Sequence, residues 1–316
     1  MLVSADPFSW ELLLRRPPDE RRAAAPPELL AHLRRHQERG GKPASARACA
    51  AEDPHLDADI DSAIAGLPAP VLRHLAPWLL GVFTLEGTGA SATSGVVAGP
   101  EGELIGGFIA IDAAAFASAS ANAWFEAREN MPFAPSAGMR LAARIAAPAH
   151  DHRIAALQYA LLHEAGHVLA ACKALAPVWW RPAATTPAPA YPLLDPCWRV
   201  PPGGRYTPRR GHDFPQRAQL VYHGVPRLSL RDAAAAYGAL GRTGFPTLYA
   251  ATSIYEDIAD SFAGYVHVRL MGRPLEHRLL EGGAASVVAE GHTYWQGEHG
   301  MHRAALFEAL LASSPG

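Results

Sequence analysis

Residues 151–175 read DHRIAALQYALLHEAGHVLAACKAL, and the fold turns on them because they carry the clearest helical period in the chain. Ile154, Leu157, Leu161, Val168 and Leu175 fall on an apolar stripe at helical spacing. Asp151 is placed to cap the first turn, and Lys173 stands in the last turn before Pro177. Upstream, residues 79–85 form an apolar run, and residues 95–98 and 104–111 flank a Gly-Pro-Glu-Gly turn, which predicts a hairpin. Residues 1–75 read as a helical N-terminal region. Pro26-Pro27-Glu28 opens a helix through Leu29, Leu30 and Leu33 that stops at Gly40-Gly41, and Leu56, Ile60 and Ile64 mark a second. Asp57, Asp59 and Asp61 start like a calcium loop, but Ser62 and Pro68 stand where Gly and Glu are needed, so they read as a solvated helix start. Downstream, residues 177–226 hold eleven prolines together with Trp179, Trp180 and Trp198. A segment that long and irregular is expected to pack on the body and wall a cleft. Helices return at 229–241, where Ser229 and Asp232 form a capping pair, at 253–271 and near 301–311. Residues 76–316 are therefore expected to form the main domain, with 177–226 as an insertion.

Composition narrows the function. The chain has 316 residues, 49% apolar and 18% charged, with a net charge of −2, which is a globular composition with no electrostatic footprint for nucleic acid or anionic lipid. Three cysteines, Cys49, Cys172 and Cys197, are too few for a disulfide framework. No signal peptide or membrane-spanning run is read, so a cytoplasmic location is the expectation.

The chemistry lies inside the opening stretch. His163 and His167 are four apart, so a helix turns by about 400° between them and both imidazoles leave one face. Two such imidazoles can share one zinc ion. Glu164 stands beside that face, where a carboxylate can take a proton from a metal-bound water without ligating the metal. Ala165-Gly166 leaves room for another element to approach closely, since a mid-helix glycine otherwise costs about 1 kcal/mol against alanine. A catalytic zinc needs a third protein ligand. Glu256 is the best placed, because Asp260 lies four residues on and could fix the tautomer of a ligand histidine. The rivals are His223, Glu276, Glu298, His292, His299 and His302. Tyr249, seven residues before Glu256, could hydrogen-bond a developing oxyanion, with Tyr222, His223, Tyr255 and His267 as weaker candidates.

His163-Glu164-x-x-His167 with downstream Glu256-x-x-x-Asp260 resembles the HEXXH zincin metallopeptidases of the gluzincin type. With Tyr249, Ala259 and Phe262 added, it is similar to the group that holds anthrax lethal factor and the bacterial glucose-regulator aminopeptidases. That resemblance implies a zincin-like α+β domain, one catalytic Zn2+ held by His163, His167 and Glu256, Glu164 as general base and Tyr249 as transition-state stabiliser. It also implies an edge strand, read here as residues 104–111, that binds substrate backbone. Two departures stand out: the long gap between His167 and Glu256, and Asp260 where that group commonly has Glu. The expected function is zinc-dependent hydrolysis of a peptide or protein substrate, without nucleic-acid or membrane partners. The alternatives are a catalytically silent zinc-binding scaffold and a metallohydrolase acting on a non-peptide amide.

Overall fold

A computed structural model describes residues 1–50, 53–117, 120–178, 190–199 and 206–315. The chain is mixed α/β, about 46% helix and 19% strand, compatible with the α+β expectation. Its main sheet has five strands: β1 (Leu2–Val3), β2 (Arg22–Ala24), β3 (Leu79–Leu85), β4 (Ala92–Ala98) and β5 (Leu104–Asp112). Their order is β1-β4-β5-β3-β2, and β4 and β5 are antiparallel while the remaining pairs are parallel. The hairpin expected around residues 99–102 is β4–β5, turned at Gly102 with φ +85°, a conformation glycine adopts without strain.

Two expectations need correction. Residues 104–111 are not an edge strand. β5 lies between β4 and β3 and is buried along nearly its whole length, as a central strand with both faces covered must be. Among the described residues, the open edge near the sheet's centre is that of β4 at residues 92–96, because β1 pairs only with Val97 and Ala98. Nor is the N-terminal region purely helical. It supplies β1 and β2, so the sheet crosses the expected boundary at residues 75 and 76.

Side chains alternate across the sheet and feed two cores. Val82, Ile109 and Ile111 join the larger core, built around the helix Arg153–Cys172. Leu80, Phe83, Phe108 and Ala110 join a second core with Trp10, Leu29 and Leu33 from the helices Pro7–Leu13 and Pro27–Arg39. The N-terminal residues thus close the sheet's other face. The helix Pro54–Ala65 is capped by Asp53, and its acids are ion-paired rather than merely solvated: Asp57 and Asp61 face Arg22, and Asp59 faces Arg153.

The helix Arg153–Cys172, hereafter the motif helix, is buried on all sides. Asp151 does not cap it. His152 holds the cap position, while Asp151 accepts from Ser120 Oγ and the Asn122 N–H. The helix lies close under the sheet, since a Cβ added at Gly107 of β5 would come within 2.8 Å of Val168. On another side it meets the helix Ile254–Gly264, and a Cβ at Gly166 would lie 2.8 Å from Ala259 Cα. The close approach read from Ala165-Gly166 is this contact. Ile254–Gly264 is shorter than the helix expected over 253–271, because Tyr265–Leu270 winds as a π-helix. A three-stranded antiparallel sheet, Ala284–Glu290, Glu276–Glu281 and Met139–Arg144, flanks this body. No helix among the described residues is long and apolar enough to cross a membrane.

Candidate metal centre

The two histidines leave the motif helix one turn apart, with ring centroids 4.9 Å from each other. Ser253 caps the facing helix by accepting from the Glu256 N–H at 3.2 Å, which starts that helix one turn before its carboxylates. The Glu256 backbone serves the cap while its side chain points to the histidines. Glu256 Oε2 lies 3.2 Å from His163 Nε2 and 3.4 Å from His167 Nε2. One ligand atom from each residue falls within 4.8 Å of the others. Glu256 Oε2 is buried and has no hydrogen-bond partner, so a buried anionic atom is left facing two ring nitrogens. Ligand atoms held at about 2.0–2.2 Å around a tetrahedral zinc sit about 3.3–3.6 Å from one another. The three residues fit such an ion.

Asp260 lies one turn further along the same helix, fully buried. Its Oδ1 is 2.8 Å from His163 Nδ1, so the imidazole donates there and turns its Nε2 towards Glu256 and His167, where that nitrogen can ligate a metal once its own proton has left. Arg128 Nη2 donates to the same Oδ1 at 2.6 Å, and Thr247 Oγ1 donates to Oδ2. Burial pushes the Asp260 carboxyl up, but Arg128 and His163 outweigh it and hold the pKa at about 2. Burial likewise opposes charge on His163, yet Asp260 and Glu256 raise its pKa to about 10 in the metal-free centre. Burial also works against the Glu256 carboxylate, and His167 and His163 overcome it and hold its pKa well below the usual range.

Glu164 follows His163 and points to the sheet, where Ser94 Oγ of β4 donates to its Oε2 at 2.6 Å. Tyr249 stacks on His163, with ring centroids 5.5 Å apart at 28°. The Arg128 guanidinium sits 4.6 Å from the Tyr249 ring centre, and the Tyr222 ring packs against Tyr249 with centroids 4.4 Å apart. Burial first, then Glu256, raises the Tyr249 pKa well above that of a free phenol, so it stands as a neutral donor. His163, His167, Glu256, Glu164, Ser94 and Tyr249 line a cleft of about 420 Å³ whose far wall is His32, Leu33 and His36 of the N-terminal helix Pro27–Arg39.

All six predicted site residues converge here: His163, His167, Glu256, Glu164, Tyr249 and Asp260. Three of the rivals go elsewhere. Glu276 pairs with Arg144 and Arg278, His299 packs against His212, and His267 bonds the carbonyls of Ile145 and Pro274. His223 lines the cleft in a left-handed backbone conformation, φ +60°. The proline-rich segment reaches the cleft at His223, and Tyr222 beside it packs against Tyr249. Further back, Trp198 donates to buried Asp257 behind the acidic helix, beside Arg303. Trp179 and Trp180 lie outside the described residues. Sequence reading missed Ser94, Arg128 and Thr247. Only Thr247 carried a signal, being two residues from Tyr249.

Compared with known proteins, the chain matches no family model, no curated protein and no solved structure.

Proposed function

We propose that the chain is a zinc metallopeptidase of the gluzincin type, folded as the zincin-like domain that this reading implies. The observation that carries the proposal is the convergence of Glu256 Oε2 on both motif-helix imidazoles, within 3.4 Å of each, in a cleft that Glu164 and Tyr249 also line. Zinc, once bound, supplies a Lewis acid that acidifies water and polarises a carbonyl. The protein's own groups do the rest. Ser94 occupies Glu164 Oε2, which leaves Oε1 to take a proton from water and return it to the leaving amine. The Tyr249 phenol donates to the oxygen on which negative charge develops. Asp260, itself fixed by Arg128 and Thr247, holds the His163 tautomer that offers Nε2 to the metal. The open edge of β4 at residues 92–96 can pair with an extended peptide and bring its backbone past Glu164, since Ser94 lies on that edge. The substrate class is a peptide or protein segment.

The test is Glu164→Gln, assayed for metal content and for cleavage of a peptide library beside a panel of N-acyl compounds. Zinc should remain stoichiometric while peptide turnover falls by about 10²–10⁴-fold. Undiminished peptide cleavage by Glu164→Gln would overturn the proposal. Turnover confined to the N-acyl compounds would replace it with the non-peptide amidase.

A further inference from the structure

The helix Pro27–Arg39, the far wall of the metal cleft, turns a basic stripe to that side. His32, Arg35, His36 and Arg39 fall at i, i+3, i+4 and i+7, so all four stand on one stripe of the helix. His32 and His36 line the cleft itself. Arg35 and Arg39 are exposed, and neither makes an ion pair or a hydrogen bond among the described residues. Glu28, one turn before His32, is taken up by Ser4 Oγ and Trp10 Nε1. Glu164 and Glu256 belong to the opposite wall, at the metal centre. The helix wall therefore carries positive charge that the fold leaves unpaired. Its field is felt at His32, whose pKa is pushed down to about 4 by burial first and then by positive neighbours that include Arg35 and Arg39.

The sheet edge decides what meets this wall. Ser94 of β4 turns to the motif helix, where it bonds Glu164. Gly95 turns the other way, where an added Cβ would meet the Phe108 ring at 2.6 Å. Phe108 in turn packs edge-on against His32, with ring centroids 6.4 Å apart. A peptide paired with the open edge of β4 at residues 92–96 alternates its side chains in the same way. One set faces the metal centre and the other faces His32 and His36.

We infer that the second set includes an acidic side chain: the cleft selects peptide segments with Asp or Glu next to a residue that faces the metal centre, the carboxylate lying against His32 and His36 in the field of Arg35 and Arg39. Complementary charge of this kind gives specificity and speeds encounter. The inference rests on the peptidase reading, because it takes an extended peptide as the occupant of the cleft.

The test is fluorescence anisotropy on the full, zinc-loaded Glu164→Gln chain, with labelled peptides that carry Glu, Gln or Lys at each position in turn. At one or more positions the Glu peptide should bind at least tenfold more tightly than its Gln counterpart, and the Lys peptide more weakly than either. That advantage should shrink as salt rises from about 0.05 M to about 0.5 M. Arg35→Glu combined with Arg39→Glu reverses the charge at two exposed positions of the stripe, so it should abolish the advantage and leave thermal unfolding unchanged. Arg73→Glu combined with Arg231→Glu makes the same change in net charge at exposed positions that do not line the cleft, and should keep the advantage. Equal affinity for Glu and Gln peptides at every position, an undiminished advantage after the changes at 35 and 39, or its loss in the control as well, would overturn the inference. Cleavage by the parent is scored separately: a parent that cleaves none of these peptides refutes the peptidase reading, while the comparison of Glu with Gln still decides the role of the stripe.

Discussion

Gly166→Ala tests whether the metal centre depends on how closely two helices approach. An added Cβ at residue 166 meets Ala259 Cα at 2.8 Å, Ala259 O at 3.1 Å and Phe262 Cβ at 3.2 Å. Ordinary contact begins near 3.4 Å, so the helices must part by at least 0.6 Å there, and two of the three obstacles are backbone atoms that cannot rotate away. Overpacking of this kind costs about 1–3 kcal/mol. Alanine recovers about 1 kcal/mol of helix propensity. The net expectation is a loss of about 1 kcal/mol, or a melting temperature lower by a few degrees. The same parting moves Glu256 away from both histidines, because residues 256 and 259 lie on one helix. Zinc affinity, measured by chelator competition, should fall about tenfold or more. Gly238→Ala is the control. It sits in the helix Ala233–Leu240 with nothing within 4 Å of an added Cβ, so it should stabilise by about 1 kcal/mol and leave zinc affinity alone. Like behaviour of the two variants in thermal denaturation, or zinc binding by Gly166→Ala as tight as the parent's, would refute this dependence on helix spacing.

Tyr249→Phe should retain zinc and leave KM nearly unchanged while kcat falls by about 10²–10³-fold, the usual loss of one oxyanion donor; unchanged steady-state kinetics would remove Tyr249 from the chemistry. In the metal-free protein, Asp260 has a depressed pKa, about 2 against 3.8, so its contribution to stability is complete above pH 3.8 and is lost as pH falls through 2. Denaturant titrations should show that slope, of order 2 kcal/mol in total, and Asp260→Asn should flatten it. A slope equally steep in both proteins would mean the carboxylate is not held as described.

The parts of the centre legible in the sequence were those encoded locally. His163 and His167 are one helical turn apart, as are Glu256 and Asp260, and helical periodicity turns such spacings into shared faces. The supporting groups carry no such signature. Arg128 meets Asp260 across 132 residues and Ser94 meets Glu164 across 70, so only the completed fold joins them. The edge of the sheet was misread for a related reason. β1 and β2 have two and three residues, too few for any period-two signal, yet they decide which strands are flanked. The correct position of β5 did leave a trace, since a nearly unbroken apolar run is what a central strand requires.

Charge gives a separate argument for a cation in the cleft. Glu129 and Asp260 are fully buried, Glu164 nearly so, and Glu256 keeps one oxygen buried without a partner. Arg128 is the guanidinium that reaches into this set, pairing with Glu129 and Asp260. One positive charge cannot offset four carboxylates in a medium of low polarity, where uncompensated charge is strongly unfavourable. In the metal-free centre His163 makes up part of the deficit by keeping a proton up to pH about 10. A divalent ion coordinated by His163 Nε2 would supply more charge and must displace that proton, because a ligating imidazole is neutral. Zinc binding at pH 7 should therefore release about one proton per ion, read from calorimetry in buffers of different ionisation enthalpy. Proton release near zero would mean that His163 is already neutral, and that Glu256 and Asp260 do not act on it together.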